Sequence, residues 1–583
     1  MIGTLSNGKV LGVVLLSFAG FLIYLPSELG VALSVPPDSS EYSICLANLF
    51  EYGRFGFTLN GEWYPSRYTP FFSLLCLTPA YLLSGCNVLC IHWSIMLFAL
   101  ALLAAVWKIG LLCGLKKLAI LPPILLMFMP DFLFYSRVAM TEVPYAALVS
   151  ALALVFVRFV NQRQPSIRMC VGIGLLVSWA GLVRFTGFTI IIPFVVVVMF
   201  RQKEWRIRIK HVCSFSLPIV IAMVIGLAYN YVVFDSPFRN GYNYWLALPF
   251  DYPNLTFNIK YVASVVPGYL MFPIMQFTLF LILIILLATL HIVRKKAYKD
   301  FIPFLMMEGF VMVHAFVLLF LYAGYYTIDT RFFLSITILV VPLFFAATNI
   351  ILADCRARFK TFIQILIFVG SVQVVLLSSN LYSDLPTPRS MWLAESRISA
   401  SILPAGAIVI QQGDPNVVDY FGYNSKGLIL YPRKRRVIYV NDMISPNSIS
   451  PVCQSPNVDV RWPTRTQSSS IVPECIKSGT SRLPFPSTFE EDPLKVKSYI
   501  DNGKRVFMMK SSFLGGDFAF FKSDVERMGL AVKQFGTIET PRVSFNQIRH
   551  LYDKIVFQGK SMDWRPESVV VLYEIVRPGG GYE

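Results

Sequence analysis

Two carboxylates three residues apart, Asp38 and Glu41, follow the first apolar segment in the stretch Pro36-Pro37-Asp38-Ser39-Ser40-Glu41-Tyr42. If that segment spans a bilayer, both acids stand where the chain leaves lipid. Charged groups next to hydrocarbon are costly, so their presence there marks a functional site by default. Either acid could serve as a general base that takes a proton from an acceptor hydroxyl in a site shielded from bulk water. The same spacing also fits a helix capping box, with Asp38 at the N-cap and Glu41 three residues on. The two readings are compatible, because a cap also fixes the side chain in place.

Further polar residues interrupt apolar sequence in the same way. Trp63-Tyr64-Pro65-Ser66-Arg67-Tyr68-Thr69-Pro70 offers a guanidinium whose fork matches phosphate oxygens, or an arginine that merely snorkels among aromatic neighbours. Asp131 follows Pro130 at one end of an apolar run, and Thr141-Glu142 opens the next, where an acid also suits a helix N-terminus. Arg184 interrupts Leu182-Val183-Arg184-Phe185-Thr186-Gly187, and Asp329-Thr330-Arg331 begins another run. An unpaired arginine near hydrocarbon costs about 3 kcal/mol or more, so Arg184 requires an anionic partner, protein carboxylate or lipid phosphate. Asp329 and Arg331 could simply pair locally. Carboxylates plus phosphate also suit a hard divalent cation, with Asp38, Asp131 and Glu142 as ligands, but nothing in the sequence requires a cofactor. The Asn254-Leu255-Thr256 sequon is weak by itself.

The elements that must position these residues are membrane helices. Over 583 residues the chain is 55% hydrophobic and 15% charged, with mean hydropathy +0.59. Soluble domains carry about 25% charged residues, so the composition is that of a polytopic membrane protein. The net charge of +17 sits in short clusters between apolar runs, as cytoplasmic loops do, and no basic aromatic pattern tracks a phosphate backbone, so nucleic acid is not an expected partner. About eleven spans are expected, at 9–26, 88–110, 118–134, 142–160, 169–184, 186–201, 212–234, 265–292, 302–324, 332–352 and 361–379. With the N-terminus inside, the clusters at Lys116/Lys117, Arg163/Arg168, 201–210, 294–299 and 356–360 all face the cytoplasm. Asp38, Glu41, Arg67, Asp131, Glu142, Arg184, Asp329 and Arg331 then share the outer face. Residues 69–86 are nearly long enough to cross, but crossing would invert every later loop. They are expected to lie in the outer interface as part of an outer loop 27–87, their regularity limited by Pro70 and Pro79. The first apolar run lacks a clear cleavage site and is expected to stay as an anchor.

The composition changes near 380. Strands at 405–410, 427–431 and 436–440, a helix–strand pair from LKVKSYIDNG into RVFMMK, a second from SDVERMGLAV into KQFGTI, and a final SVVVLYEIV predict an extracytoplasmic α/β domain over 381–583, after a membrane domain over 1–380. DPNVVDYFGY reads as helical and 444–488 as a long loop. The domain holds no phosphate loop, nucleophile elbow or metal cluster, so its expected role is to cover or select substrate. Eight cysteines lie in or near apolar runs and read as small buried side chains. Cys453 and Cys475, isolated in the polar third, are a disulfide candidate.

The order of features – a first span, the acid-bearing outer loop from Asp38 through SRYTPFF, a Thr-Glu motif at a later span, then VRFTG – resembles the GT-C superfamily of integral-membrane glycosyltransferases. The nearest groups are the bacterial protein-mannosyltransferase-like and aminoarabinose-transferase-like families. The resemblance covers roughly 1–380 and is strongest over 36–86 and 136–188. It implies a multi-pass protein of the bacterial inner (plasma) membrane, its C-terminal domain outside the cytoplasm. The implied reaction moves a sugar from a polyprenyl-phosphate donor to a lipid, glycan or protein acceptor, with inversion. Asp38 matches the acid at the family's reaction centre, with Glu41 in the same motif; where the family often has adjacent Asp-Glu, this chain has Asp38-Ser39-Ser40-Glu41, leaving the base open between them. Arg67 matches a cation that contacts the carrier phosphate. Glu142 and Arg184 match a second acidic and a basic motif. The expected catalytic residues are thus Asp38, Glu41 and Glu142, and the substrate-binding ones Arg67, Tyr68, Asp131, Arg184 and Arg331. A transporter would instead show mid-span charges and a repeat between halves; a non-catalytic envelope assembly protein would leave the paired acids and arginines unexplained.

Overall fold

The computed structural model describes residues 11–20, 37–59, 62–86, 273–323, 330–353, 356, 359 and 362–372, and 91–241 except positions 137, 163–164, 202–203 and 239. In the C-terminal third it describes 403–404, 406–411, 425–430, 436–439, 458–461, 493–509, 517–540 and 568–578. The chain divides into two compact units. One comprises Met1–Tyr24, Phe71–Val232 and Tyr252–Asp384; the other comprises Leu25–Pro70, Val233–Asp251 and Leu385–Glu583.

The first unit is helical. Among the described residues, six helices are long and apolar enough to cross a membrane: His92–Leu112, Glu142–Asn161, Trp205–Phe234, Met275–Lys295, Tyr298–Leu319 and Arg331–Ile351. Each carries at least the roughly 20 residues that a bilayer core of about 30 Å demands. Leu11–Gly20, Ser73–Leu83, Ile167–Val183, Phe185–Phe200 and Phe362–Val372 are shorter apolar helices. Glu142–Asn161 and Arg331–Ile351 are the most enclosed, with 78% and 89% of their apolar windows buried, whereas Trp205–Phe234 is only 17% buried and turns most of its surface outward. The two central helices are therefore those that begin at Glu142 and Arg331. Phe156 of Glu142–Asn161 packs on Phe194 of Ile191–Arg201 and on Phe310 of Ile302–Ala323.

The structure breaks one of the expected segments and details a second. Residues 118–134 form no continuous helix: Leu121–Phe128 stops at Met129, whose ψ of 119° is extended, and Pro130–Tyr135 starts a new short helix. The ring of Pro130 disfavours helical backbone at the residue before it. Between 69 and 86 the helix begins with a π-helical turn, Ser73–Leu77, and continues as Thr78–Leu83 with Pro79 in its first turn. This helix buries Ser73, Cys76, Leu77, Ala80 and Tyr81 on one side and exposes Leu74, Leu75, Leu82 and Leu83 on the other.

The second unit holds the helix Pro37–Tyr52, the antiparallel hairpin β1 (Gly56–Leu59) and β2 (Glu62–Pro65), and an α/β sheet. The sheet order is β4 (Ser425–Leu430), β3 (Ala407–Gln411), β7 (Val506–Met509), β9 (Ser568–Val576), β8 (Ala531–Thr540). β3 runs parallel to β4 and β7, while β9 is antiparallel to β7 and β8. Helices Pro493–Asp501 and Asp517–Arg527 precede β7 and β8, and Val496, Val525, Ile408, Ile410, Val506, Met508 and Ile575 share one core. The expected alternation of helix and strand is thus present. β5 (Arg436–Tyr439) pairs in parallel with β6 (Val458–Arg461), a strand inside the stretch read as a long loop. Cys453, Cys475, Asp329, the 254–256 sequon and DPNVVDYFGY lie outside the described residues.

Candidate active site

In the second unit the helix Pro37–Tyr52 presents Glu41, which is wholly buried. Because the helix starts at Pro37, Asp38 lies inside its first turn and not at an N-cap; nothing further is described of the Asp38 side chain. Proline suits this start, since its missing N–H belongs to a donor that a helix leaves unused. Glu41 is engaged with residues further along the chain. Its Oε1 accepts from Ser66 Oγ at 2.8 Å and from the Arg67 backbone N–H at 2.7 Å. Its Oε2 accepts from Arg67 Nε at 2.7 Å and meets Nη2 at 2.6 Å. A side-on arginine plus two further donors makes a fully engaged carboxylate.

The hairpin delivers these partners. β1 and β2 pair in register from Gly56 opposite Pro65 to Leu59 opposite Glu62, so the chain reverses and returns Ser66 and Arg67 to the helix. The two intervening residues are Asn60-Gly61, a dipeptide that two-residue hairpin loops favour. Asn48 Nδ2 donates to Gly56 O at 2.8 Å and ties the hairpin to the helix. Tyr68 stacks on Tyr42 at 4.3 Å between ring centroids, with the Arg67 guanidinium 5.5 Å from the Tyr68 ring. Gly241 closes against this strand end: a Cβ there would come within 2.2 Å of Ser66 O and 2.5 Å of Arg67 O. Only glycine allows that approach.

In the first unit a second constellation forms around Glu142, which is 2% exposed at the start of its helix. Arg184 Nη1 lies 3.7 Å and Arg331 Nε 3.9 Å from Glu142 Oε1. Arg184 sits where the helix Ile167–Val183 ends; its backbone is extended (φ −146°, ψ 126°) before the 3-10 turn Phe185–Ile190. Gly187 makes this turn possible. Its N–H donates to Arg184 O at 2.7 Å, and a Cβ would lie 2.4 Å from Ala180 O. Arg331 lies in the 3-10 turn Thr330–Phe333 that leads into Leu334–Ile351. Both guanidiniums pack at Phe332, Arg184 at 5.3 Å and Arg331 at 5.1 Å from its centroid, and Arg184 lies 5.6 Å from the Tyr145 ring. Aromatic faces partly offset the cost of holding two cations together. Thr186 Oγ1 donates to the Tyr145 hydroxyl oxygen at 3.1 Å. Asp131 sits half-buried in the first turn of Pro130–Tyr135, where an acid suits the helix N-terminus.

The two constellations differ in distance: Glu41 and Arg67 meet at contact distances, while Glu142 faces two arginines at 3.7 and 3.9 Å. Sequence reading missed Ser66, Tyr42, Tyr145 and Phe332; the two tyrosines flank motif residues (Glu41-Tyr42 and Glu142-Val143-Pro144-Tyr145), which is the one local signal they carry. Among the described residues no group of three or more His, Cys, Asp or Glu could hold a metal ion.

No protein-family model matches the chain, and no curated protein matches it significantly. Solved structures do. Apo ArnT from Cupriavidus metallidurans is similar with a TM-score of 0.46 at 12% identity, over 97% of this chain and 98% of that one. ArnT from the same organism bound to undecaprenyl phosphate gives 0.45 at 14% identity over 98% of both chains. The apo oligosaccharyltransferase of Archaeoglobus fulgidus gives 0.43 at 12% identity over 72% of this chain and 64% of that one. These likenesses, at 12–14% identity and TM-scores below 0.5, assign the chain neither a family nor any residue a role.

Proposed function

We propose that this chain is a glycosyltransferase that moves a sugar from a polyprenyl-phosphate-linked donor to an acceptor lipid, glycan or protein at the outer membrane face. The observation that carries it is the convergence of the Arg184 and Arg331 guanidiniums on buried Glu142 at the start of a membrane-length helix. A lipid-linked sugar phosphate is anionic and enters from the bilayer, and two guanidiniums so placed are suited donors for its oxygens.

In the reaction the acceptor oxygen forms a bond to the anomeric carbon as the bond from that carbon to the phosphate oxygen breaks. The departing polyprenyl phosphate gains a negative charge, which two positioned guanidiniums stabilise as it develops. A single displacement inverts the anomeric carbon. The hydroxyl proton goes to a carboxylate. Glu41 suits that poorly, because both its oxygens are held by donors that protonation would set against it. Its role is to fix Arg67, and Asp38 is assigned the base from its motif. Arg67 and Tyr68 are assigned to substrate binding by their motif, and Asp131 by its own position at a helix start. A divalent cation at Glu142 would meet two guanidiniums; loss of transfer on chelation, restored by added metal, would show a metal requirement. The sheet unit, with its strands and helices outside the cytoplasm, covers or selects the acceptor.

Binding of undecaprenyl phosphate to purified protein tests this reading. Arg184→Ala and Arg331→Ala should each weaken it by about 10-fold or more, the loss expected for a charge-assisted hydrogen bond. Asp38→Asn should bind normally and transfer about 10²–10⁴-fold more slowly. Equal binding by wild type and both arginine variants would overturn the proposal.

A further inference from the structure

His314 is a buried titratable group that the proposed chemistry leaves unused. It lies within Ile302–Ala323 and is 4% exposed. Its Nε2 hydrogen-bonds with Ser335 Oγ at 3.1 Å, and its Nδ1 is buried with no hydrogen-bond partner among the described residues. Its ring stands 6.1 Å from that of Tyr145 at a 46° tilt. Such an imidazole is a poor choice for filling space in an apolar helix, since an unsatisfied ring nitrogen costs more than a phenyl group would.

What the position offers is two connections that diverge to the two arginines. Ser335 is the second residue of Leu334–Ile351, directly after the turn Thr330–Phe333 that carries Arg331. Tyr145 is the ring beneath Arg184, and its hydroxyl takes the Thr186 hydrogen bond from the same turn that follows Arg184. One side chain therefore touches the support of Arg331 on one side and the support of Arg184 on the other. A phenyl ring could fill the place but could not bond Ser335; a short amide could bond Ser335 but would not reach Tyr145 as a ring.

We propose that His314 is a positioning residue that sets the spacing of Arg184 and Arg331 for a phosphate oxyanion. This rests on the reading above, in which those arginines receive the carrier phosphate. The test compares undecaprenyl phosphate with the uncharged alcohol undecaprenol as ligands for wild type, His314→Phe, His314→Gln and Ser335→Ala. His314→Phe and Ser335→Ala should each weaken binding of the phosphate by about 3–10-fold, the worth of one neutral hydrogen bond, with undecaprenol unaffected. His314→Gln, which can keep the bond to Ser335, should recover part of the loss.

If His314→Phe fails to fold, Ser335→Ala still decides the matter. Phosphate binding unchanged in folded Ser335→Ala, or weakened equally for phosphate and alcohol, overturns the positioning role and leaves the arginine site standing. Wild type that prefers phosphate no more than alcohol overturns the arginine site and this inference with it.

Discussion

The engaged state of Glu41 gives the most quantitative prediction. Glu41→Gln keeps the size and the acceptor facing Ser66 Oγ and the Arg67 N–H, but puts an amide NH₂ where Oε2 accepted from Nε and Nη2. Donor then faces donor. Removing one partner of a buried ion pair costs about 3–5 kcal/mol. Arg67 keeps 21% side-chain exposure, so water reaches the abandoned guanidinium and the expected cost falls to about 2–3 kcal/mol. That is roughly 30–150-fold in an equilibrium constant at about 1.4 kcal/mol per tenfold. Hydrogen exchange followed by mass spectrometry reads it locally: the peptides spanning 37–52 and 62–68 should lose protection by that factor, while peptides from 334–351 do not change. The double variant Glu41→Gln with Arg67→Gln replaces the ion pair by two amides that can bond each other. It should be less damaged than the sum of the singles, by at least about 1 kcal/mol of coupling. Protection of the Glu41→Gln peptides within about threefold of wild type, or strict additivity in the double variant, would show that the pair does not hold this segment.

Further outcomes follow from other contacts. Gly187→Ala should displace the Arg184 turn, because its Cβ meets Ala180 O at 2.4 Å; a loss of about 1–3 kcal/mol in thermal unfolding and weaker undecaprenyl phosphate binding check it. Cys453 and Cys475 should be joined in protein from the native compartment, a bond worth about 3 kcal/mol in the chain-entropy model; mass mapping under non-reducing conditions that finds both thiols free refutes it. Single cysteines at positions 60 and 420 should react with an impermeant reagent from outside, and one at 205 should not; outside labelling at 205 overturns the topology.

How far the sequence could be read depended on how local each signal was. The helices Glu142–Asn161 and Leu334–Ile351 fall almost where apolar runs at 142–160 and 332–352 place them, because a span is a property of consecutive residues. The break at Met129 was also written locally, in Pro130, but hydropathy averaged across it. The hairpin at Asn60-Gly61 was legible by the same standard and went unread among the larger outer loop. The site was harder. Glu41 looks like a cap because Asp38-Ser39-Ser40-Glu41 is a capping pattern, yet its partners sit 25 and 26 residues on, and only the reversal of β1 and β2 brings them back. The sequence marks Arg184 as needing an anion and offers Asp329 as a local partner for Arg331. That both guanidiniums approach Glu142 is a fact of packing between segments far apart in sequence, which no spacing rule contains.

A guanidinium held side-on by a buried carboxylate, as Arg67 is by Glu41, must loosen that pair to clamp a phosphate. Arg184 and Arg331 stand 3.7 and 3.9 Å from Glu142 Oε1, past the range of a good hydrogen bond, so turning toward a phosphate costs them less of that carboxylate. On the proposed function the carrier phosphate is therefore assigned to Arg184 and Arg331, and Arg67 is assigned to holding the segment that Glu41 anchors. Glu41 has both oxygens held by donors, so the proposed base is Asp38, by its motif; loss of transfer in Asp38→Asn with donor binding kept is the outcome that decides it.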